Sequence, residues 1–177
     1  MVIRRVFLKL SILAAIVIGG AAVFIPFGLP GMTTSVLANG SGITSIEILH
    51  FDDDGVREPL LYTDGTVIGE GMHVGDLKCI RDNCNGRTYL TDILISSQPT
   101  DIEIEYKMKS LVARDIQEER VVVAGTGTIT GGGQKERFSF VATFQNNRDG
   151  TVYSRYDASR PDASFIIQET TGTFGYE

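Results

Sequence analysis

The sequence predicts an all-β fold, an antiparallel β-sandwich or alternatively a small lipocalin-like barrel, placed after an N-terminal signal or anchor helix. Apolar side chains recur at every second position in several segments, which is the period of a half-buried strand. Turns rich in Gly, Asn and Asp separate these segments at short intervals, as in sandwiches and barrels. A chain of 177 residues leaves room for one such domain after the N-terminal segment.

Residues 1–38 are predicted to be a signal peptide or an N-terminal membrane anchor. The basic residues Arg4 and Arg5 precede an apolar run over residues 10–29, and breakers and a short polar segment follow. Small residues at the end of that segment predict cleavage after Ala38. If cleavage does not occur, the apolar run is long enough to span a bilayer and hold the remaining chain outside the cytoplasm.

The segment Arg-Arg-Val-Phe-Leu-Lys at residues 4–9 resembles the twin-arginine export signal, in which a double arginine and one variable residue precede Phe-Leu-Lys. The positions that match that signal are Arg4, Arg5, Phe7, Leu8 and Lys9. Ile3 stands where the signal usually has Ser or Thr. The resemblance implies export of an already folded protein, and an ordinary signal that exports the unfolded chain is the alternative. Both predict a secreted or extracytoplasmic protein whose N-terminal segment engages the export machinery.

Beyond this segment, residues 39–45 are predicted to be a flexible lead-in, and residues 46–177 a single β-domain. Its clearest strand covers residues 101–109, where apolar and charged residues alternate without a break. At 100° per residue the apolar side chains would spread around a helix, whereas at 180° they share one face. Those four side chains are Ile102, Ile104, Tyr106 and Met108. The opposite face carries Glu and Lys, which indicates a sheet with one solvated side.

The same period predicts a meander of three strands over residues 120–130, 138–144 and 151–157, joined by Gly-rich and Asn/Asp-Gly turns. Aromatic residues on one face of these segments are expected in the core, namely Phe138, Phe140 and Phe144 together with Tyr106. Further strands are predicted at residues 46–51, 56–62, 66–74, 88–96 and 164–171. Residues 110–119 are predicted to form a helical turn.

Residues 125–157 carry a Gly-Thr-Gly-Thr stretch, alternating phenylalanines and an Asn-Arg-Asp-Gly turn. This pattern is similar to a hairpin region of small secreted microbial β-domains whose role is undefined. The resemblance supports the fold and implies no activity, because one fold hosts many functions.

Cys79 and Cys84 are the two cysteines of the chain. Outside the cytoplasm such a pair is expected to form a disulfide, here one that holds an irregular segment before a strand. A zinc site in which the two thiolates join His50 and His73 is the alternative, because two thiolates and two imidazoles can coordinate Zn²⁺ tetrahedrally.

Acidic residues around Gly55 favour calcium as a second possible metal. Carboxylates on a tight turn suit a hard cation, and the candidate ligands are Asp52, Asp54 and Glu58. The same residues are equally typical of a solvated acidic turn. The sequence therefore predicts no cofactor, with calcium or zinc as alternatives.

The charge balance and the motifs argue against two classes of function, nucleic-acid binding and hydrolysis. A formal net charge of −6 argues against a nucleic-acid partner, because binding to phosphates needs clustered Lys and Arg. A Gly-x-Ser-x-Gly elbow is absent from the sequence, and Glu103 and Glu105 alternate onto the solvated face, so hydrolase chemistry has little support. Tyr153, Arg155 and Tyr156 are a candidate contact patch for carbohydrate or peptide.

We therefore expect a non-enzymatic extracytoplasmic β-domain that acts in binding or in the cell envelope. Its partner would be an envelope component or a small ligand, and only the N-terminal segment would contact the membrane. The alternative is a small-ligand or metal-binding protein that is exported in folded form.

Overall fold

The computed structural model describes residues 45–51 and 54–175, with side chains from residue 49 onward. The predicted export signal, the cleavage site at Ala38, the lead-in before residue 45 and the candidate calcium ligand Asp52 lie outside the described residues. Within the described part of the chain, no helix has the length and apolar character needed to cross a membrane.

Ten strands and one short 3₁₀ helix, Pro161–Ala163, make up the described domain. The strands are β1 Ser45–Phe51, β2 Glu58–Leu61, β3 Val67–Ile80, β4 Asn83–Ile95, β5 Gln98–Pro99, β6 Glu103–Asp115, β7 Arg120–Gly131, β8 Gln134–Asn146, β9 Thr151–Ala158 and β10 Phe165–Thr173. The all-β class predicted from the alternation is confirmed.

The strands form one sheet that closes on itself. Strands β3, β4, β6, β7, β8, β9 and β10 follow one another, each antiparallel to the next. β1 and β2 lie end to end between β10 and β3, pair with both, and complete an eight-stranded barrel. The barrel alternative is therefore observed, and the favoured sandwich is not confirmed. Both architectures use strands with the same alternation, and they differ in long-range register, which short segments do not encode.

Within the meander β6–β9, the ladders β7–β8 and β8–β9 run without register shifts, whereas bulges interrupt β6–β7. β7 pairs with β8 without a break from Arg120 opposite Gln145 to Gly131 opposite Gln134. Two inward-facing glycines of β7 lie opposite phenylalanines of β8, Gly125 opposite Phe140 and Gly127 opposite Phe138. A β-carbon at Gly127 would lie 2.2 Å from the Phe138 ring, so the absence of a side chain makes room for that ring.

Side chains fill the barrel interior. The buried core includes Tyr106, Phe138, Phe140, Phe144 and Tyr156, as predicted for the first four. The Tyr106 ring lies against Phe140 and Phe138 at centroid distances of 5.2 and 5.6 Å, in edge-to-face geometry. The placement of these rings confirms the faces that the alternation assigned in β6 and β8.

The two ends of the barrel differ. One end, which we call the disulfide end because Cys79 and Cys84 are bonded there, has the turns at residues 81–82, 116–119 and 147–150. The opposite end, which we call the cleft end because a surface cleft lies there, has the connections at residues 62–66, 96–102, 132–133 and 159–164. At the cleft end the 3₁₀ helix folds over the interior, where Ala163 is fully buried and its carbonyl accepts a 2.9 Å hydrogen bond from the Tyr106 hydroxyl.

Two local predictions are wrong. The helical turn predicted over residues 110–119 is absent, because β6 continues to Asp115 and only residues 116–119 turn, with Glu119 at a φ of 51°. Bulges in β6 break its alternation beyond Met108, which hides the strand from a search for period two. The cysteines lie in the regular hairpin of β3 and β4 rather than in an irregular segment.

Candidate functional site

A line of polar side chains crosses the mainly apolar barrel interior. His73 on β3, Thr88 on β4, Tyr156 on β9, Thr170 on β10 and Glu58 on β2 each point inward and are buried. Buried polar groups are costly unless they are hydrogen-bonded, so their arrangement is the first candidate for function. We call these five residues the buried polar chain.

Hydrogen bonds join the members of the buried polar chain in sequence. The Thr88 hydroxyl lies 2.7 Å from the Tyr156 hydroxyl, which lies 2.8 Å from Nε2 of His73. On the other side of the ring, Nδ1 of His73 lies 3.0 Å from the Thr170 hydroxyl. Thr170 in turn donates to Oε2 of Glu58 at 3.2 Å. The chain therefore runs from β4 through the barrel to the place where β2 and β10 meet.

Donor and acceptor capacities fix the direction of these bonds when Glu58 is ionised. A carboxylate only accepts, so Thr170 donates to Glu58 and its oxygen accepts from Nδ1–H of His73. In this tautomer Nε2 of His73 is an acceptor, so the Tyr156 hydroxyl donates to it and receives a hydrogen bond from Thr88. Every hydroxyl and ring nitrogen of the chain then has a partner.

Burial shifts the pKa values of three members of the buried polar chain. It lowers the pKa of His73 to about 3, since a charged imidazolium is poorly solvated inside the barrel, so this histidine is neutral. It also raises the pKa of Tyr156, and the phenol stays protonated. Burial raises the pKa of Glu58 to about 7, with a further contribution from the negative charge of Asp54, against the hydrogen bonds from Thr170 and from the Thr171 backbone.

Two buried tyrosines stack at the centre of the barrel. The rings of Tyr106 and Tyr156 are parallel to within 27° and their centroids are 3.9 Å apart. Phe51 covers the imidazole of His73 at 4.3 Å. Ser154, the inward residue before Tyr156 on β9, has a buried hydroxyl without a hydrogen-bond partner among the described residues. The polar chain is thus enclosed by aromatic rings on several sides.

The second candidate is a cleft of about 280 Å³ at the cleft end, outside the filled interior. Ile102 and Ile129, which pack against the core, form its apolar floor. Its charged lining consists of Asp101, Glu136, Asp162 and Arg160. We call this feature the rim cleft. A concave site with an apolar floor and a few converging charges is the usual form of a binding site.

Acidic groups outnumber basic ones in the rim cleft. Nε of Arg160 donates to Asp162 at 2.9 Å, and a second guanidinium nitrogen donates at 2.6 Å. This bidentate pair lowers the pKa of Asp162. Arg160 also pairs with Glu136, while Asp101 accepts a hydrogen bond from the Gly132 backbone. One guanidinium therefore faces three carboxylates, which leaves a negative surplus at the cleft.

The two described members of the predicted calcium site, Asp54 and Glu58, differ in exposure and in hydrogen-bond partners. The Asp54 side chain is exposed and accepts a hydrogen bond from its own loop, from Val56 N–H at 2.9 Å. Glu58 instead turns into the barrel toward Thr170. Among the described residues, no three His, Cys, Asp or Glu side chains come together as a metal site. The calcium prediction remains a prediction, because Asp52 lies outside those residues.

The disulfide is formed between Cys79 and Cys84, which are directly opposite each other on β3 and β4. Their sulfurs are bonded to each other and are not available as the thiolates of the alternative zinc site. His73 uses both ring nitrogens in the buried polar chain, and His50 is exposed on β1.

The predicted contact patch on β9 is only partly exposed. Tyr153 and Arg155 face outward, and Arg155 pairs with Asp157 at 2.8 Å. Tyr156 faces the interior and is fully buried, so its assignment to a surface patch is wrong. Alternation along β9, in which Val152 and Ser154 share the face of Tyr156, was the signal that could have placed it.

Sequence reasoning missed the buried polar chain and the rim cleft. A weak signal for the chain exists in β4, where Thr88 occupies an inward position between Gly86 and Leu90. A polar residue on an apolar face needs a partner, but its identity depends on which strands meet across the barrel.

Comparisons of this chain with protein-family models, with curated proteins and with solved structures found no match.

Proposed function

We propose that the protein is a non-enzymatic extracytoplasmic binding domain that engages its partner at the rim cleft. The observation that carries this proposal is the contrast between a barrel interior filled by side chains and a concave, charged cleft outside it. A ligand inside the barrel, as in lipocalins, would require space that Tyr106, Phe140 and Tyr156 occupy. Binding on the outer surface is therefore the function that the geometry supports best.

The chemistry of the rim cleft favours a cationic group carried on an apolar stem. Ile102 and Ile129 offer apolar contact to the stem. Asp101, Glu136 and Asp162 together carry more negative charge than Arg160 offsets, and this net charge attracts the cation. Lysine and arginine side chains of a protein or peptide partner have this form. Because the cleft is open to solvent, the attraction should weaken as salt concentration rises.

Titration of the ¹⁵N-labelled domain with blocked lysine tests this proposal. N-acetyl-lysine methylamide is expected to shift the backbone resonances of Ile102, Gly132 and Gln134 in a saturable way. The neutral analogue N-acetyl-norleucine methylamide has a similar stem without the charge and is expected to cause much smaller shifts. Equal effects of the two probes, or shifts elsewhere on the barrel, would contradict the assignment of the cleft.

A matched pair of variants tests whether the lysine probe binds at the rim cleft. Glu136→Gln removes one carboxylate of the rim cleft and should weaken lysine binding. Asp157→Asn removes a carboxylate that pairs with an arginine two residues away, as Asp162 does, but lies outside the cleft lining. This control variant should bind the probe as the natural protein does.

Export is tested by the intact mass and metal content of protein purified from a host with twin-arginine export. A mass that begins at Asn39 and is lighter by two hydrogens for the disulfide is the expected result. A full-length mass, found for protein in the cell envelope, would indicate that the protein is anchored rather than secreted. Stoichiometric zinc or calcium would favour the alternative of a metal-binding protein exported in folded form.

A further inference from the structure

The two stacked tyrosines have hydrogen-bond acceptors of different chemistry. Tyr106 donates to the backbone carbonyl of Ala163 at 2.9 Å, and a peptide carbonyl does not take up the proton. Tyr156 is bonded to Nε2 of His73 at 2.8 Å, and an imidazole nitrogen does take up a proton. A phenol that loses an electron becomes a strong acid. Its oxidation is therefore easier when a base accepts the proton at the same time.

We propose that Tyr156 is a one-electron donor whose phenolic proton leaves through His73 and Thr170 to the Glu58 carboxylate. The co-reactant is an outer-sphere one-electron oxidant, which gains the electron. The Tyr156 O–H bond breaks and its proton binds Nε2 of His73. The Nδ1 proton of His73 moves to Thr170, and the hydroxyl proton of Thr170 moves to Glu58. The products are a neutral Tyr156 radical, a neutral His73 in its other tautomer, a protonated Glu58 and the reduced oxidant.

The surroundings of His73 require it to pass the proton on. Burial disfavours the imidazolium, which is reflected in its pKa of about 3, so His73 does not retain both protons. A transfer that enters at Nε2 and leaves from Nδ1 keeps the ring neutral throughout. The 3.0 Å bond to Thr170 and its 3.2 Å bond to Glu58 supply the exit. Among the described residues, the Tyr156 hydroxyl has two hydrogen-bond partners, His73 and Thr88, and of these His73 is the base.

The composition of the chain makes tyrosine the relevant donor. The sequence has no tryptophan and six tyrosines, so oxidation of its aromatic side chains falls on tyrosine. Both cysteines are in the disulfide. The Tyr106 ring, stacked 3.9 Å from Tyr156, provides a short route for the electron toward the cleft end.

Flash photolysis of the full chain tests the proposal. Tyr62, Tyr89, Tyr153 and Tyr176 are first replaced by Phe, which leaves only the stacked pair. A ruthenium polypyridyl complex, oxidised by light and persulfate, then serves as the oxidant. The radical is followed by transient absorption and identified by electron paramagnetic resonance. We expect a neutral tyrosyl radical that persists in Tyr106→Phe and disappears in Tyr156→Phe.

Variants of the exit route distinguish proton transfer from a structural role. Thr170→Val keeps the shape of the side chain but removes its hydroxyl, and we expect radical formation to slow by about a hundredfold, the lower range for a positioned proton acceptor. Thr170→Ser restores a hydroxyl and should recover the rate, and Thr88→Val leaves the exit intact and should retain it. In the natural chain, the rate should fall in D₂O.

Three results would overturn the proposal. One is a radical on Tyr106 in the protein that retains both stacked tyrosines. Another is an unchanged rate in folded Thr170→Val, and the third is the absence of a solvent isotope effect. If Thr170→Val does not fold, Glu58→Gln removes the final acceptor and carries the same expectation of slower oxidation. An unchanged rate in that variant would equally exclude the proton exit.

Discussion

The meander β6–β9 and the seam between β10 and the β1/β2 pair belong to the same barrel but are held together differently. In the meander, the β7–β8 and β8–β9 ladders are continuous, bulges interrupt β6–β7 beyond Met108, and most inward side chains are apolar. At the seam, the described residues pair β10 with β2 at Ile166 and with β1 at Gly172 and Thr173. Between these two stretches of pairing, the Glu58 carboxylate accepts a hydrogen bond from the Thr170 hydroxyl.

The difference teaches where stability and adjustability lie in this fold. Neighbouring strands in sequence form the meander, so its contacts are local, and its interior is mainly apolar. The seam joins the two ends of the domain, and Glu58 and Thr170 are 112 residues apart. There the hydrogen bond from Thr170 to the titratable Glu58 supplements the short backbone ladders that close the barrel. We therefore expect large responses to changes of packing in the meander and smaller, pH-dependent responses at the seam.

The largest expected effect is the loss of a ring from the meander. Phe140→Ala removes a buried side chain that contacts both stacked tyrosines and should lower the free energy of unfolding by about 3–5 kcal/mol. Val141→Ala, at the adjacent outward position, is the control and should cost much less. Chemical denaturation measures both. A loss below that of the control would show that the meander is not the stable region.

The second-largest expected loss of stability comes from adding a side chain at Gly127, which lies against the Phe138 ring. Gly127→Ala would place a methyl group 2.2 Å from the Phe138 ring and 2.7 Å from the Glu105 carbonyl, and we expect a loss of about 1–3 kcal/mol. Thr128→Ala on the solvated side of β7 is the control. Equal thermal midpoints for the two variants would contradict the assigned interior face.

Removal of the disulfide has an intermediate effect and lies in the hairpin β3–β4, which borders the seam strands. Cys79→Ala combined with Cys84→Ala opens a short loop, so the model of chain entropy predicts a loss of about 2 kcal/mol. The comparison is denaturation of the double variant against the natural protein with and without reductant. Reductant should alter only the natural protein, and its insensitivity would contradict the disulfide.

The smallest effect, at the seam, depends on pH. The pKa of Glu58 is raised from 4.5 to about 7, so the folded state binds more protons than the unfolded state in that interval. The resulting stability is fully present below pH 4.5 and is lost as pH rises through 7. Glu58→Gln keeps an acceptor for Thr170 and removes this dependence. We expect the variant to be more stable than the natural protein at pH 8 by on the order of 1 kcal/mol.

His73 provides an internal control for Glu58→Gln, because its contribution to stability changes with pH in the opposite direction. Its pKa is lowered from 6.5 to about 3, so the unfolded state binds more protons and stability falls as pH drops below 6.5. The two effects partly cancel between pH 4.5 and 6.5 in the natural protein. Denaturation of the Gln variant across that range should reveal the steeper acid loss, and identical pH profiles would exclude Glu58 as the source.

Sequence reasoning succeeded where strands alternate regularly and failed where bulges interrupt the alternation. Alternation placed Tyr106, Phe138 and Phe140 in the core, because strand period and side-chain polarity are local properties. It missed the second half of β6, since bulges interrupt the period there. The cysteine pair was correctly joined, although its regular hairpin was not expected.

The sequence by itself determined the all-β class, the inward faces of the regular strands and the disulfide, all of which follow from neighbours within one strand or one hairpin. Only the tertiary structure decided that the sheet closes into a barrel. It also decided that His73 meets Tyr156 across 83 residues and that Glu58 turns inward to Thr170. Closure and these contacts depend on the register summed around eight strands, and no single segment encodes that sum.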